Sequence, residues 1–305
     1  MSYNINDFDR LAVKVPYLGF DHAQRQDILS QIASGSLIRV YAGDDALDET
    51  TFNNQGLLAL LYLGESEAEF DDPPSISSRI SAAQSWCSTN GITPMAVEVG
   101  EERFWRCLNG DLSNYQSLAS LDPIPRTQRV AQQYALLYAE IREAWPNALT
   151  VSVEASWTEP GATGLGTGFG LYGPIYDNVD VLGISHYMPG TDTSVNQAQL
   201  DVFCASVVPR VTEARRLVNV PGGSRDPYYR AAYTMAFAQA FDDGNWRKRS
   251  AGQLDWWYRM AQRTDERLDG LLFFCAEDRA GVTGAESYSD LVTQIGDIYD
   301  YNAQQ

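Results

Sequence analysis

The stretch TPMAVEVGEERFW, residues 93–105, carries Glu98, Glu101 and Glu102 at the end of an apolar run and follows them with a basic residue and an aromatic pair. Carboxyl groups at that density suit general acid–base chemistry, in which one protonated carboxyl hands a proton to a departing oxygen while a second attacks or activates water. Strand alternation puts Glu98, Gly100 and Glu102 on one face and Val97, Val99 and Glu101 on the other. If the valines pack outward, Glu98 and Glu102 point inward, with Glu102 nearer the strand end. Neighbouring negative charge and partial burial would favour the protonated form of Glu102 that proton donation requires.

Polar residues recur at the ends of other apolar runs. Asp21 and His22 close the first, Arg39 lies in the second, Glu154 and Trp157 close the fifth, His186 and Tyr187 the sixth, and Glu277 with Asp278 the eighth. Glu277 is the first candidate for a second carboxylate, because the end of an eighth strand faces a fourth across a barrel mouth. Such a span suits separations of about 6.5–9.5 Å, which leave room for a water and imply inversion. Glu154 and Asp226 are the alternatives. Trp105 and Trp157 offer flat faces suited to the C–H faces of sugar rings. Plainer roles compete with each of these: Glu102 could pair with Arg103 or Arg39, Glu277 with Arg279, His186 could be an internal hydrogen-bonded residue, and His22 could start a helix.

The elements that must position these residues alternate along the chain. Eight short apolar runs fall at 11–20, 36–43, 56–64, 93–102, 148–157, 179–187, 216–223 and 268–278. Helical patterns lie between them: 21–34 stopped by Gly35, Ser75 to Asn90 closed by Gly91, and a segment capped by Thr127 and ended by Pro146. Two more helices fit near 227–241 and 249–265, and a last one near 287–301. Eight nearly all-apolar strands, each followed by a helix, specify a (β/α)₈ TIM barrel, read as one domain over residues 1–305. A doubly wound open sheet is the runner-up, but the glycine-rich GATGLGTGFG, 161–170, has neither GxGxxG placement after a strand nor a P-loop lysine. No cofactor is expected.

Within that frame, VEVGEE resembles the WExGNE signature on the fourth strand of clan A glycoside hydrolases, a superfamily of retaining (β/α)₈ glycosidases. The resemblance implies that Glu102 is the acid/base. Arg39 in LIRVYAG is similar to the second-strand arginine that holds the nucleophile, VDVLGISHYMP to the sixth-strand motif carrying His186 and Tyr187, and GLLFFCAED to the closing motif of the eighth strand. Two departures stand out. Glu101 replaces the asparagine that holds the sugar 2-hydroxyl, and the expected seventh strand, RLVNVPGG, has Pro221 and Gly222 where the nucleophile Glu should fall.

Composition narrows the alternatives. A net charge of −18 with two lysines, Lys14 and Lys248, leaves no basic footprint for nucleic acid. Four dispersed cysteines read as buried free thiols rather than a zinc site or a disulfide framework. Two histidines without HxH or HExxH spacing argue against a metal hydrolase, and no GxSxG elbow supports a serine hydrolase. The N-terminal segment reads as neither a secretory signal nor a membrane span, so a cytoplasmic or particle-associated protein is expected. The resulting expectation is a glycoside hydrolase-like enzyme cleaving a polysaccharide or glycoconjugate. Its alternative is a non-catalytic carbohydrate-binding or structural barrel, such as a component of a phage or phage-like tail with other subunits around it.

Overall fold

A computed structural model describes residues 17–43, 46–64, 74–101, 106, 116–155, 180–185, 235–239, 270–274, 276–278 and 283–304. Its strands are β1 (Tyr17–Phe20), β2 (Leu37–Tyr41), β3 (Leu58–Tyr62), β4 (Pro94–Glu101), β5 (Leu149–Ala155), β6 (Val181–Ser185), β7 (Met235–Gln239) and β8 (Gly270–Phe274). All pair in parallel with their chain neighbours, and the sheet curls round until β8 pairs with β1, Tyr17 opposite Gly270 and Phe20 opposite Phe273. Between the strands lie α1 (Gln26–Leu29), α2 (Glu49–Asn54), α3 (Pro74–Thr89) and α4 (Pro123–Ala144), and α5 (Ser289–Ala303) follows β8. The architecture is α/β with a curled parallel sheet.

The side-chain period of two sorts each strand into an outer and an inner row. Ile38, Val40, Leu61, Val97, Val99, Leu271 and Phe273 face outward into one core with the helices. Val130, Tyr134, Leu137 and Ile141 of α4 recur at helical spacing and are buried in that core. Leu37, Leu60, Ala96, Val151, Val153 and Leu272 face inward and fill a second, smaller core inside the ring. Gly19 is the inward position of β1, where a Cβ would lie 1.8 Å from the Leu37 carbonyl oxygen, so glycine is what lets β1 approach β2.

Three expectations are corrected. The strand between β6 and β8 is Met235–Gln239, inside the segment read as a helix over 227–241, while the expected strand at 216–223 and the expected helix at 249–265 lie outside the described residues. An alanine-containing run of five residues is too short for periodicity to separate strand from helix, and pairing with β6 and β8 decides it. The first helix is one turn, Gln26–Leu29, rather than 21–34. The fourth helix starts at Pro123 after Asp122, with Thr127 inside it, because proline is pre-set for a first helical turn. Cys87 is a buried free thiol whose pKa burial pushes up to about 11; the other cysteines lie outside the described residues. Among the described residues no helix is long and apolar enough to cross a membrane.

Candidate active site

Above the inner apolar layer, one step toward the carboxyl ends of the strands, the inward positions turn polar. Arg39 follows Leu37 on β2, Tyr62 follows Leu60 on β3, Glu98 follows Ala96 on β4, and Asp21 comes two residues after Gly19. Arg39 is 1% exposed, and Asp21 and Glu98 are fully buried. The arginine divides its fork between them: Nη1 donates to Asp21 Oδ2 at 3.0 Å and Nη2 to Glu98 Oε1 at 2.6 Å. Its guanidinium carbon lies 4.2 Å from the Tyr62 ring centroid. Among the described residues, the wall formed by β1 to β4 therefore holds a desolvated ion cluster of two carboxylates and one guanidinium joined by charge-assisted bonds.

His22 stands at the edge of this cluster. Its ring stacks on Tyr41 at 5.2 Å with a 12° interplanar angle, and Nε2 lies 3.3 Å from the Tyr41 hydroxyl and 3.7 Å from Asp21 Oδ2. The Tyr41 hydroxyl donates to Asp21 Oδ1 at 2.7 Å. The His22 backbone has φ +51°, a left-handed conformation that costs a non-glycine residue about 1–3 kcal/mol.

Glu277 is buried just past β8, where its Oε1 accepts from the backbone N–H groups of Gln24 and of Arg25, the latter at 2.7 Å. Its own N–H donates to the His22 carbonyl at 3.2 Å. Glu277 thus clamps the loop after β1 to the end of β8. Outside it, Arg25 bridges Asp27 and Glu286, and that guanidinium holds the Asp27 carboxyl below its usual range. Arg279, the partner weighed for Glu277, lies outside the described residues.

On β4 the expected alternation does not run through. Glu98 is in register with Val151 and Glu101 with Val153, so three steps on β4 match two on β5. Gly100, at φ +62°, supplies the left-handed residue such a bulge needs. Positions 98 and 101 consequently share a phase along the sheet, in place of 98 and 102. Glu101 closes β4 and Glu154 lies in β5. Glu102, Trp105, Trp157, His186, Tyr187 and Asp226 lie outside the described residues. The structure brings Arg39 together with Asp21, Glu98 and Tyr62, and Tyr41 with Asp21 and His22. Tyr41 and Tyr62 escaped the sequence reading, although their place at the ends of runs two and three was a signal for them.

No protein-family model matches the sequence, and no curated protein matches it. Among solved structures, the chain is similar to a GH18 chitinase from Pseudoalteromonas aurantia, at 10% identity and a TM-score of 0.55, covering 92% of this chain and 99% of that one. It is also similar to AbfB, a family 51 α-L-arabinofuranosidase from Bifidobacterium longum, at 10% identity and a TM-score of 0.52, covering 89% of this chain and 68% of that one. These likenesses concern the fold alone. None of them bears on a phage tail or on other subunits.

Proposed function

We propose that the protein is a glycoside hydrolase on a complete (β/α)₈ barrel, cleaving a polysaccharide or glycoconjugate by carboxylate acid–base catalysis with Glu102 as proton donor. The observation that carries this reading is the carboxylate-rich wall at the carboxyl edge of the curled parallel sheet, the edge where such folds keep their reactive groups. Glu102 is the residue after β4 in the chain, and the bulge makes Glu101 its rival. In the reaction, the donor's proton passes to the glycosidic oxygen as the C–O bond breaks, and a second carboxylate attacks or activates water. Glu101, Glu154, Trp157, His186 and Tyr187 are proposed to line the sugar site, with Arg39, expected there from the sequence, buried behind it as the ion-cluster residue that holds the wall in place.

The reaction needs a second carboxylate at the mouth. Glu277 is the first candidate, with Glu154 and Asp226 behind it. Moving the seventh strand to Met235–Gln239 adds another, because the chain continues Ala240, Phe241, Asp242, and Asp242 is the first acid after that strand. The engagement of Glu277 Oε1 by two backbone N–H groups favours a second reading, a carbohydrate-binding barrel without catalysis.

Reducing-end release from a panel of polysaccharides separates the two. We expect wild type to release sugar, and Glu102→Gln to lose about 10²–10⁴-fold of that rate with the melting temperature unchanged or higher. Full activity in Glu102→Gln with loss in Glu101→Gln would move the donor to Glu101. Binding without release by wild type would establish the binding module instead.

A further inference from the structure

Among the described residues, His22 is the one non-glycine residue with a positive φ, at +51°. Glycine would hold that turn without steric cost, so the backbone conformation gives no reason for an imidazole there. The ring is nevertheless fixed with care. Tyr41 stacks on one face, its hydroxyl meets Nε2 at 3.3 Å, and Asp21 Oδ2 lies 3.7 Å from the same nitrogen. Asp21 is itself held by Arg39 and by the Tyr41 hydroxyl, so the orientation of the imidazole is set by a buried network. The side chain remains 19% exposed at the carboxyl edge of the sheet. A strained, oriented and partly exposed histidine at a sheet mouth is the combination found where a side chain meets a ligand.

We propose that His22 is a ligand-contacting residue of the mouth, exchanging a hydrogen bond with a hydroxyl of a neutral sugar, and that Tyr41 and Asp21 are its positioning residues. This rests on the carbohydrate reading of the same mouth. The neutral class is argued from electrostatics: among the described residues the buried wall beside His22 holds two carboxylates against one guanidinium, and the chain carries a net charge of −18, which disfavours a sugar carboxylate.

The test is binding of wild type, His22→Gly, His22→Asn and Tyr41→Phe to an array of neutral glycans (β-glucan, xylan, arabinan and chito-oligosaccharides) and of uronate-rich glycans, with melting temperatures taken in parallel. Wild type is expected to bind a neutral glycan. His22→Gly should keep or raise the melting temperature, since glycine adopts this backbone freely, and weaken binding about three- to tenfold, the worth of one hydrogen bond. His22→Asn, which also tolerates the left-handed region and keeps a hydrogen-bonding amide, should retain part of the affinity. Tyr41→Phe should weaken binding by a smaller factor while keeping the stack. Undiminished binding by both His22 variants, with another mouth variant such as Glu102→Gln altering binding or turnover, overturns the proposal and leaves the carbohydrate reading standing. A fall of several degrees in melting temperature in both variants marks a structural role and overturns it equally. Preference for uronate glycans overturns the ligand class, and wild type that binds no glycan overturns the carbohydrate reading and the proposal with it.

Discussion

Arg39 sits where the interior of the ring changes from apolar to charged, and its energetics decide whether the cluster above it can exist. Burying three charged groups costs several kcal/mol each in lost hydration, which is offset by their mutual bonds, by the Tyr41 hydroxyl and His22 backbone N–H donated to Asp21, and by the Tyr62 ring against Arg39. Removing the guanidinium leaves Asp21 and Glu98 desolvated and mutually repelling, and it also strips the cation from the face of Tyr62. Arg39→Met should therefore destabilise the protein by about 3–5 kcal/mol in denaturant unfolding, far more than the loss of an exposed ion pair such as Arg25 with Asp27. Adding Asp21→Asn and Glu98→Gln to Arg39→Met should recover part of that loss. A single-variant cost below about 1 kcal/mol would mean that water reaches the cluster. Arg39 was legible in the sequence because a charge inside an apolar run needs a reason. Its partners were not, since Asp21 is 18 residues away and Glu98 is 59, and nothing local to either specifies the pair.

At the scale of elements, short strands hide their irregularities. VEVGEE reads as unbroken alternation, and the glycine that breaks it could equally have been an inward residue on a crowded strand; only the pairing with β5 shows that the strand gains a residue between Glu98 and Glu101. Gly100→Ala tests how much the site depends on this bulge. An L-residue held at φ +62° costs about 1–2 kcal/mol, so a modest loss of stability in denaturant unfolding is expected from the backbone alone. If the bulge aims the carboxylates at the strand end, glycan turnover or binding should fall well beyond what that loss explains under conditions where the variant is fully folded. Stability loss with unchanged function would make the bulge a packing device. The seventh strand was missed for a related reason. RLVNVPGG has the β-branched residues and the terminal turn of a strand, whereas MAFAQ is built from residues that serve a helix as well. The eightfold order survived because the other runs lie within a few residues of their strands, and α4 was legible from apolar spacing that matches its buried face.

Over the whole molecule, the strand order could be read from alternation of elements, but closure of the sheet is a contact between its most distant parts. Tyr17, Leu18, Gly19 and Phe20 pair with residues 270–273, and the backbone contact continues beyond both strands, where the Asp21 N–H donates to Phe273 and the Ala276 N–H to Asp21. Glu277 then ties the loop after β1 to the same strand end. The polar wall thus depends on the last segment of the chain, since Asp21 and His22 are anchored from β8. A chain ending at residue 267 would lack β8, the Glu277 clamp and α5, leaving β1 and β7 with unpaired edges and the inner core without Leu272. Exposed parallel edges invite association between molecules. Such a truncation should lose the near-ultraviolet circular dichroism of packed aromatic residues and the cooperative thermal transition of the full chain, and it should elute as aggregate in size-exclusion chromatography. A truncated chain that stays monomeric and melts cooperatively would show that β1 to β7 form a stable open sheet, and that β8 serves to position Asp21 and His22 rather than to complete the core.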